Sequence, residues 1–120
     1  MAVAIVSKQL RKTDIKKRLT IPSKSLKDFP SLAGKHKETF KARDDSGRTW
    51  KFQIYTRKRN RYLKPVLTRG WLDFVRAKEV AIGDKVEFYK EEKEQGEAVM
   101  YRVLVVREVK IFGYVHHKSI

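Results

Sequence analysis

Apolar and polar residues alternate with a period of two through most of this 120-residue chain, which is the pattern of half-buried β-strands. The clearest example is Thr49–Tyr55, in which Trp50, Phe52 and Ile54 alternate with polar residues. The same pattern predicts six further strands, at Val3–Lys8, Leu19–Ile21, Phe40–Ala42, Arg61–Leu67, Val86–Phe88 and Val99–Val105. A proline inside the Arg61–Leu67 strand indicates a sheet edge or a bulge there.

Two short helices are predicted between these strands. Ser23–Asp28 follows a proline and offers Ser23 as an N-cap. Gly70–Lys78 places its apolar residues at i, i+3 and i+4, which puts them on one side of a helix. Many short strands with few helices indicate a mainly β domain, either a barrel or a sandwich.

Turn residues and length define the organisation of the chain. Asp44–Gly47 is a hairpin signal, and Gly47 can adopt a positive φ. The length favours a single domain, which we place at residues 1–109. The tail, residues 110–120, has no clear strand partner in this scheme and is expected to be loosely ordered.

The charge of the chain is the first indication of function. Lys and Arg number 29 against 14 Asp and Glu, which gives a net charge of +15 and a pI near 10.2. This is more than solubility requires and indicates a partner of dense negative charge. A nucleic acid fits best, since DNA, for example, carries one phosphate per about 1.7 Å of helix axis.

The excess charge is concentrated in two segments between predicted strands, where loops would expose it. The first basic segment, Arg11–Arg18, has five cations and one acid, and the second basic segment, Arg57–Lys64, has five cations and no acid. Arg pairs with guanine, Asn with adenine, and Lys or Arg with phosphate. The candidate DNA-binding residues are Arg11, Lys12, Lys16, Lys17, Arg18, Arg57, Lys58, Arg59, Asn60, Arg61 and Lys64.

Two other binding functions compete with this interpretation. An RNA-binding or ribosome-associated protein would explain the charge equally well, but the aromatic residues fall on predicted core faces, not on exposed stacking platforms. The segment Asp84–Glu97 has six acids and three lysines, so a protein partner or self-association through Glu87–Glu97 is the third hypothesis.

Catalytic and metal chemistry find little support. The chain has no cysteine, which excludes thiol nucleophiles, disulfides and cysteine-based zinc sites. The histidines, His36, His116 and His117, have no triad spacing, and Glu91-Glu92-Lys93 matches a nuclease element only weakly. We therefore predict no enzyme activity, no metal, no cofactor and no small-molecule substrate. Apolar runs are too short for a membrane span, and the first residues do not read as a signal peptide.

The sequence resembles the B3-type DNA-binding domain of plant transcription factors from about Val6 to about Arg107. The matching blocks are Lys8-Gln9-Leu10 with Thr13-Asp14-Ile15; Arg18-Leu19-Thr20-Ile21-Pro22 with Phe29-Pro30; Asp45-Ser46-Gly47-Arg48-Thr49-Trp50-Lys51-Phe52; and Leu67-Thr68-Arg69-Gly70-Trp71 with Phe74-Val75 and Ile82-Gly83-Asp84-Lys85-Val86-Glu87-Phe88. Each block is modest alone, but their order and spacing together are specific.

The resemblance implies a seven-stranded open β-barrel with two short α-helices and a nuclear role in transcription. It also implies that two arms grip the major groove, and these arms coincide with the two basic segments. We expect the first segment to bind mostly phosphates, and Arg57, Arg59, Asn60 and Arg61 to read mostly base edges. Two departures from the family pattern, a stretch Thr13–Leu19 about two residues shorter and an almost wholly basic second arm, prevent transfer of a target sequence.

Overall fold

The computed structural model describes residues 2–30, 32, 36–56, 64–91, 99–111 and 114–120. The described residues form eight strands and three short helical elements. The strands are β1 (Ala2–Gln9), β2 (Leu19–Thr20), β3 (Lys37–Arg43), β4 (Thr49–Tyr55), β5 (Val66–Leu67), β6 (Lys85–Glu91), β7 (Met100–Ile111) and β8 (Tyr114–Ser119). The helices are α1 (Lys12–Lys16), a 3₁₀ helix (Ser23–Asp28) and α2 (Trp71–Ala77).

The strands form one sheet in the order β1-β6-β7-β3-β4-β5-β2, with β8 added to β7. Neighbouring strands are antiparallel except for β3 and β7, which pair in parallel over two residues. The path does not close into a ring, so β1 and β2 are its ends. The mainly β, open-barrel class predicted from the sequence is confirmed.

The inward-facing residues form one hydrophobic core. Trp50 and Phe52 of β4 are buried as the alternation predicts. The ring of Phe52 meets Phe74 and Phe88 edge to face, at centroid distances of 5.7 and 5.9 Å. Trp71 is also fully buried, so the prediction that these tryptophans and phenylalanines belong to the scaffold is confirmed.

The structure has three short helical elements where the sequence predicted two. The additional helix, α1, lies in the first basic segment, which was predicted to be a loop. It begins where the carboxylate of Asp14 accepts a hydrogen bond from the Arg11 backbone N–H at 2.8 Å, which satisfies an otherwise unpaired helix-terminal donor. Ser23–Asp28 is a 3₁₀ helix, and Ser23 lies inside it, since Pro22 is the preceding residue.

The expectation of a loosely ordered C-terminal tail is wrong. β7 continues to Ile111, and β8 pairs with it from Ser119 opposite Val106 to Tyr114 opposite Ile111. The Ser119 hydroxyl donates a hydrogen bond to Asp45 at 2.8 Å, so β8 is also tied to the β3–β4 turn. The last residues therefore form an eighth strand of the sheet.

Two strand predictions differ from the structure in extent. The strand predicted over Arg61–Leu67 is limited, within the described residues, to Val66–Leu67, and Arg61–Leu63 lies outside them. Val99 was predicted to belong to the last long strand, but it precedes β7 and is exposed. Within the described residues, β3 and β7 pair only at residues 42–43 and 101–102, beyond Val99.

A buried carboxylate organises the turn between β3 and β4. Asp44 accepts hydrogen bonds from the Ser46 backbone N–H and hydroxyl at 2.9 and 2.6 Å, and from the Arg48 N–H at 3.0 Å. Its second oxygen accepts the Trp50 indole N–H at 2.9 Å and lies 3.1 Å from the Lys78 ammonium. One side chain therefore links the turn, the core and the end of α2.

Burial and hydrogen bonding act in opposite directions on the pKa of Asp44. Burial raises it, but hydrogen bonds from Ser46, Trp50 and Lys78 outweigh burial and hold this pKa well below its ordinary 3.8. Burial likewise raises the pKa of Asp84, but hydrogen bonds from Arg107 outweigh burial, so this pKa also lies below its ordinary value. Since both folded-state pKa values are lowered, both carboxylates stabilise the fold above about pH 4, and this stabilisation is lost as the pH falls.

Gly70 is a position that only glycine can occupy without strain. Its φ is +89°, and a Cβ built there would lie 2.0 Å from the Lys51 carbonyl oxygen. Gly47 has the same φ of +89°, but a Cβ there would meet nothing within 4 Å. The backbone before α2 therefore packs directly on β4.

No helix in the described part of the chain is both long enough and apolar enough to cross a bilayer.

Replacing Asp44 by Asn should lower the free energy of unfolding near neutral pH by about 1–3 kcal/mol, because buried donors lose a charged acceptor. The fall in stability below about pH 4 should also be shallower than in the wild type. Urea denaturation at several pH values measures both effects. Asp73→Asn is the control, since that carboxylate is 74% exposed and 3.9 Å from Arg76. Equal losses in the two variants would contradict the role given to Asp44.

Gly70→Ala should destabilise the fold by about 2 kcal/mol more than Gly47→Ala. Both substitutions place Ala at a positive φ, but only the first adds a clash with backbone atoms. Thermal and urea unfolding of the two variants measure the difference. The close packing of residue 70 on β4 would be refuted by equal stabilities.

Candidate nucleic-acid interface

The first basic segment forms an exposed corner between β1 and β2. α1 occupies its middle, and its five cationic side chains are all exposed: Arg11, Lys12, Lys16, Lys17 and Arg18. Their predicted exposure is confirmed, although a short helix carries them instead of a loop. The helix therefore sets the direction in which these cationic side chains project from the sheet.

The corner is held in place by Asp14, whose carboxylate is buried. Besides accepting the hydrogen bond from the Arg11 backbone N–H, this carboxylate lies 2.9 Å from the Lys8 ammonium and 3.5 Å from the Thr20 backbone nitrogen. The backbone carbonyl of Asp14 accepts the Trp71 indole N–H. These contacts join the corner to β1, β2 and α2, so α1 is fixed to the barrel.

The acid of the first basic segment does not neutralise the segment's own cations. Asp14 pairs with Lys8, which lies outside the segment. Over the described residues, the ion pairs join Lys8, Arg76, Lys78, Arg102 and Arg107 to carboxylates, and none involves a cation of the first segment. All five charges therefore face solvent, where an external anion can reach them.

The second basic segment lies in the sequence between β4 and β5. Arg57, Lys58, Arg59, Asn60 and Arg61 lie outside the described residues. Lys64 is described, and it is exposed beside the buried Pro65. The structure therefore places Lys64 and the preceding residue Thr56, which flank the undescribed part of this segment.

The antiparallel pairing of β2 with β5 fixes the distance between the chain positions where the two basic segments adjoin the sheet. Leu19 lies opposite Leu67 and Thr20 opposite Val66, and the Ile21 N–H donates to the Pro65 carbonyl at 2.9 Å. Since the strands are antiparallel, Arg18 is at one end of this ladder and Lys64 is near the other. Continuing this register places Lys64 opposite Pro22, so four residue steps along the strands, or about 13 Å, separate Arg18 from Lys64. That distance is comparable to the roughly 12 Å width of a major groove.

A polar strip lies on the outer face of the sheet between these two chain positions. Tyr55 pairs with Val66, which pairs with Thr20, and paired residues share a face. Two residues along, on the same face, the Gln53 amide donates to the Thr68 hydroxyl at 3.1 Å. The candidate residues predicted from the sequence do not include Thr20, Gln53 or Thr68. Because Gln53 alternates with the buried Phe52 and Ile54, the sequence pattern could have placed Gln53 on this face.

A metal site and a protein-binding acidic segment are the two alternatives to this interface. Among the described residues, no group of three or more His, Asp or Glu could hold a metal ion. In the acidic segment, residues 92–98 lie outside the described residues. Asp84 contacts Arg107 at 2.9 Å, and Glu91 contacts Arg102 at 3.3 Å. These two acids therefore serve contacts within the sheet.

The chain matches the sequence profile of one known protein family. The sequence profile of the B3 DNA binding domain matches residues 7–104. None of the curated proteins that were compared matches the chain.

Solved structures show the same fold. The chain resembles the LEC2–DNA complex of Arabidopsis thaliana with a TM-score of 0.74 and 21% identity, over 88% of this chain and 94% of that one. It resembles the Arabidopsis FUS3–DNA complex with a TM-score of 0.66 and 21% identity, over 84% and 96%. A hypothetical Arabidopsis thaliana protein gives 0.61 and 23%, over 88% and 90%.

Replacing Asp14 by Ala should loosen the corner formed by α1. The backbone amides of Arg11 and Thr20 donate to this carboxylate, so their hydrogen exchange should accelerate about ten-fold or more, which corresponds to the loss of about 1.4 kcal/mol of local protection. Exchange measured by NMR tests this, with Asp73→Ala as the control. Unchanged exchange at both amides would show that Asp14 does not hold the corner.

Proposed function

We propose, because the chain belongs to the family of B3 DNA binding domains, that its two basic segments are the arms that hold double-stranded DNA. The chain is a sequence-specific DNA-binding domain of the plant transcription factor type, and this family is not one of enzymes. The assignment of contacts to individual residues is the new element of the proposal. The proposed role in transcription also implies that the protein acts in the nucleus.

The observation that carries the proposal is the position of the unpaired charge. Five exposed cations without an ion pair among the described residues stand on α1 and its flanks. Lys64, the described end of the second basic segment, lies at the other end of the β2–β5 ladder, about 13 Å along the strands from Arg18. A duplex offers phosphates on both sides of one major groove at a comparable spacing.

The two segments differ in the contacts they are suited to make. Lys16 and Lys17 stand on a helix that is fixed to the barrel, which suits them to hold phosphates and set the register of the complex. In the second segment we assign base reading to Arg57, Arg59, Asn60 and Arg61, because Arg and Asn form paired hydrogen bonds with guanine and adenine. The polar strip between the segments then faces the groove floor.

The DNA-binding domain comprises residues 1–109 in this proposal, and residues 110–120 form an extension. The family profile ends at residue 104, which supports this division. β8 adds to β7, and it reaches Asp45 at the β3–β4 turn, away from the β2–β5 edge. We therefore assign β8 a stabilising role and no contact with the bases.

Salt dependence tests the electrostatic part of the proposal. If about 6–8 phosphates are neutralised, the logarithm of the association constant should fall with the logarithm of salt concentration at a slope of about −5 to −7. Fluorescence anisotropy with a duplex selected from a random pool provides the measurement, and single-stranded RNA of equal length serves as competitor. A slope near zero, or stronger competition by RNA than by duplex DNA, would overturn the proposal.

Single substitutions separate phosphate contacts from base contacts. Arg59→Ala should weaken binding to the selected duplex by about 1–3 kcal/mol and reduce discrimination against substituted sites. Lys16→Ala should weaken selected and unrelated duplexes equally and make the salt slope shallower by about 1. Lys118→Ala, an exposed lysine on β8, is the matched control and should leave both quantities unchanged. If Arg59→Ala weakens binding to selected and unrelated duplexes equally, Arg59 contacts phosphate instead of a base.

A further inference from the structure

The outer face of β3 and β4 carries charge that neither basic segment accounts for. Positions that alternate with the buried Phe40 and Ala42 point outward on β3, and β4 follows the same rule. The outward residues are Lys37, Thr39, Lys41 and Arg43 on β3, and Thr49, Lys51, Gln53 and Tyr55 on β4. This face has four cations and no carboxylate.

Two of these cations face each other directly. Lys41 of β3 is the register partner of Lys51 of β4, and both are exposed. Like charges directly opposite in an antiparallel pair destabilise the sheet, since their Cβ atoms are only about 4.5–5.5 Å apart. No ion pair within the described residues involves either lysine. Folding alone therefore gives no reason for this pair.

Several cations elsewhere in the barrel have carboxylate partners. Arg102 of β7 pairs with Glu91 of β6 at 3.3 Å, and Arg107 of β7 pairs with Asp84 at 2.9 Å. Lys78, at the end of α2, contacts two carboxylates. The face of β3 and β4 resembles instead the first basic segment, whose cations also have no carboxylate partner among the described residues.

Both lysines also border the same depression. An open groove runs between β3 and the first residues of β7, lined by Thr39, Lys41, Lys51, Val99 and Tyr101 among others. The two ammonium groups can therefore converge on one anion instead of pointing into separate regions of solvent. Arg43 follows Lys41 on the same face, about 7 Å further along β3.

We propose that Lys41, Lys51 and Arg43 form a second phosphate-binding row, which contacts the backbone of the same duplex outside the groove held by the basic segments. This inference rests on the proposed function. β4 connects the two sites: Tyr55 adjoins the second basic segment, and Lys51 lies four residues away, about 13 Å along the strand. A duplex longer by about four or five base pairs on that side spans this distance.

The test compares a short and a long duplex. The short duplex contains only the selected site, and the long duplex extends it by about one helical turn, or about 10 base pairs, on each side. Lys41→Gln/Lys51→Gln should weaken binding to the long duplex about ten-fold and make its salt slope shallower by about 2. Affinity for the short duplex should stay within about two-fold.

A matched control removes the same charge elsewhere. Arg76→Gln/Lys118→Gln replaces two exposed cations on α2 and β8 and should leave the ratio of long-duplex to short-duplex affinity unchanged. The Lys41→Gln/Lys51→Gln protein should unfold at the same temperature as the wild type or higher, because a repulsive pair has been removed. That result excludes misfolding as the cause of weaker binding.

Each failure has its own signature. If wild-type protein binds the long duplex no more tightly than the short one, or if both double variants lose affinity equally, the phosphate row is overturned. If the short duplex is not bound at all, the proposed function of the basic segments fails instead. Loss of binding to single-stranded RNA but not to duplex DNA would assign the row to another partner and also reject the proposal.

Discussion

The short ladder between β2 and β5 is the contact on which the arrangement of this domain depends. It joins Leu19 and Thr20 to Leu67 and Val66, which are far apart in the sequence. Each of these strands follows a basic segment, so their pairing determines the distance between the two segments. The ladder is only two residues long, and the surrounding core must hold it: Leu19 and Leu67 are both completely buried. Close contact of Gly70 with the Lys51 carbonyl fixes the chain that continues from β5.

Charge is distributed in this molecule by a consistent division between inside and outside. Buried carboxylates hold loops and turns: Asp14 fixes α1, Asp44 organises the β3–β4 turn, and Asp84 pairs with Arg107. Cations of the first basic segment and of the β3–β4 face have no such partner among the described residues. The result is a rigid scaffold whose surface attracts polyanions along one edge and one adjoining face.

Much of the fold follows from local patterns that the sequence displays directly. Alternation in Thr49–Tyr55 predicts the buried face of β4 correctly, and the apolar spacing after Gly70 predicts α2. α1 was not predicted, because its stability comes from Asp14 and from contacts with distant β1 and α2, not from helical periodicity. β8 was missed for a similar reason: its partner is the end of β7 that extends beyond β6. The candidate DNA-binding residues were identified from clusters of charge along the sequence. The Lys41–Lys51 pair could not be identified in this way, because only the strand register shows that the two lysines are opposite each other.

The central claim is that both basic segments enter the same major groove. Because the chain has no cysteine, Lys16→Cys and Arg59→Cys each create a unique thiol for a photo-crosslinker, and the crosslinked bases on the selected duplex can be mapped. The account predicts that both thiols react with bases lining one major groove, within about half a helical turn, or about 5 base pairs, of each other. Crosslinks on opposite faces of the duplex would contradict it.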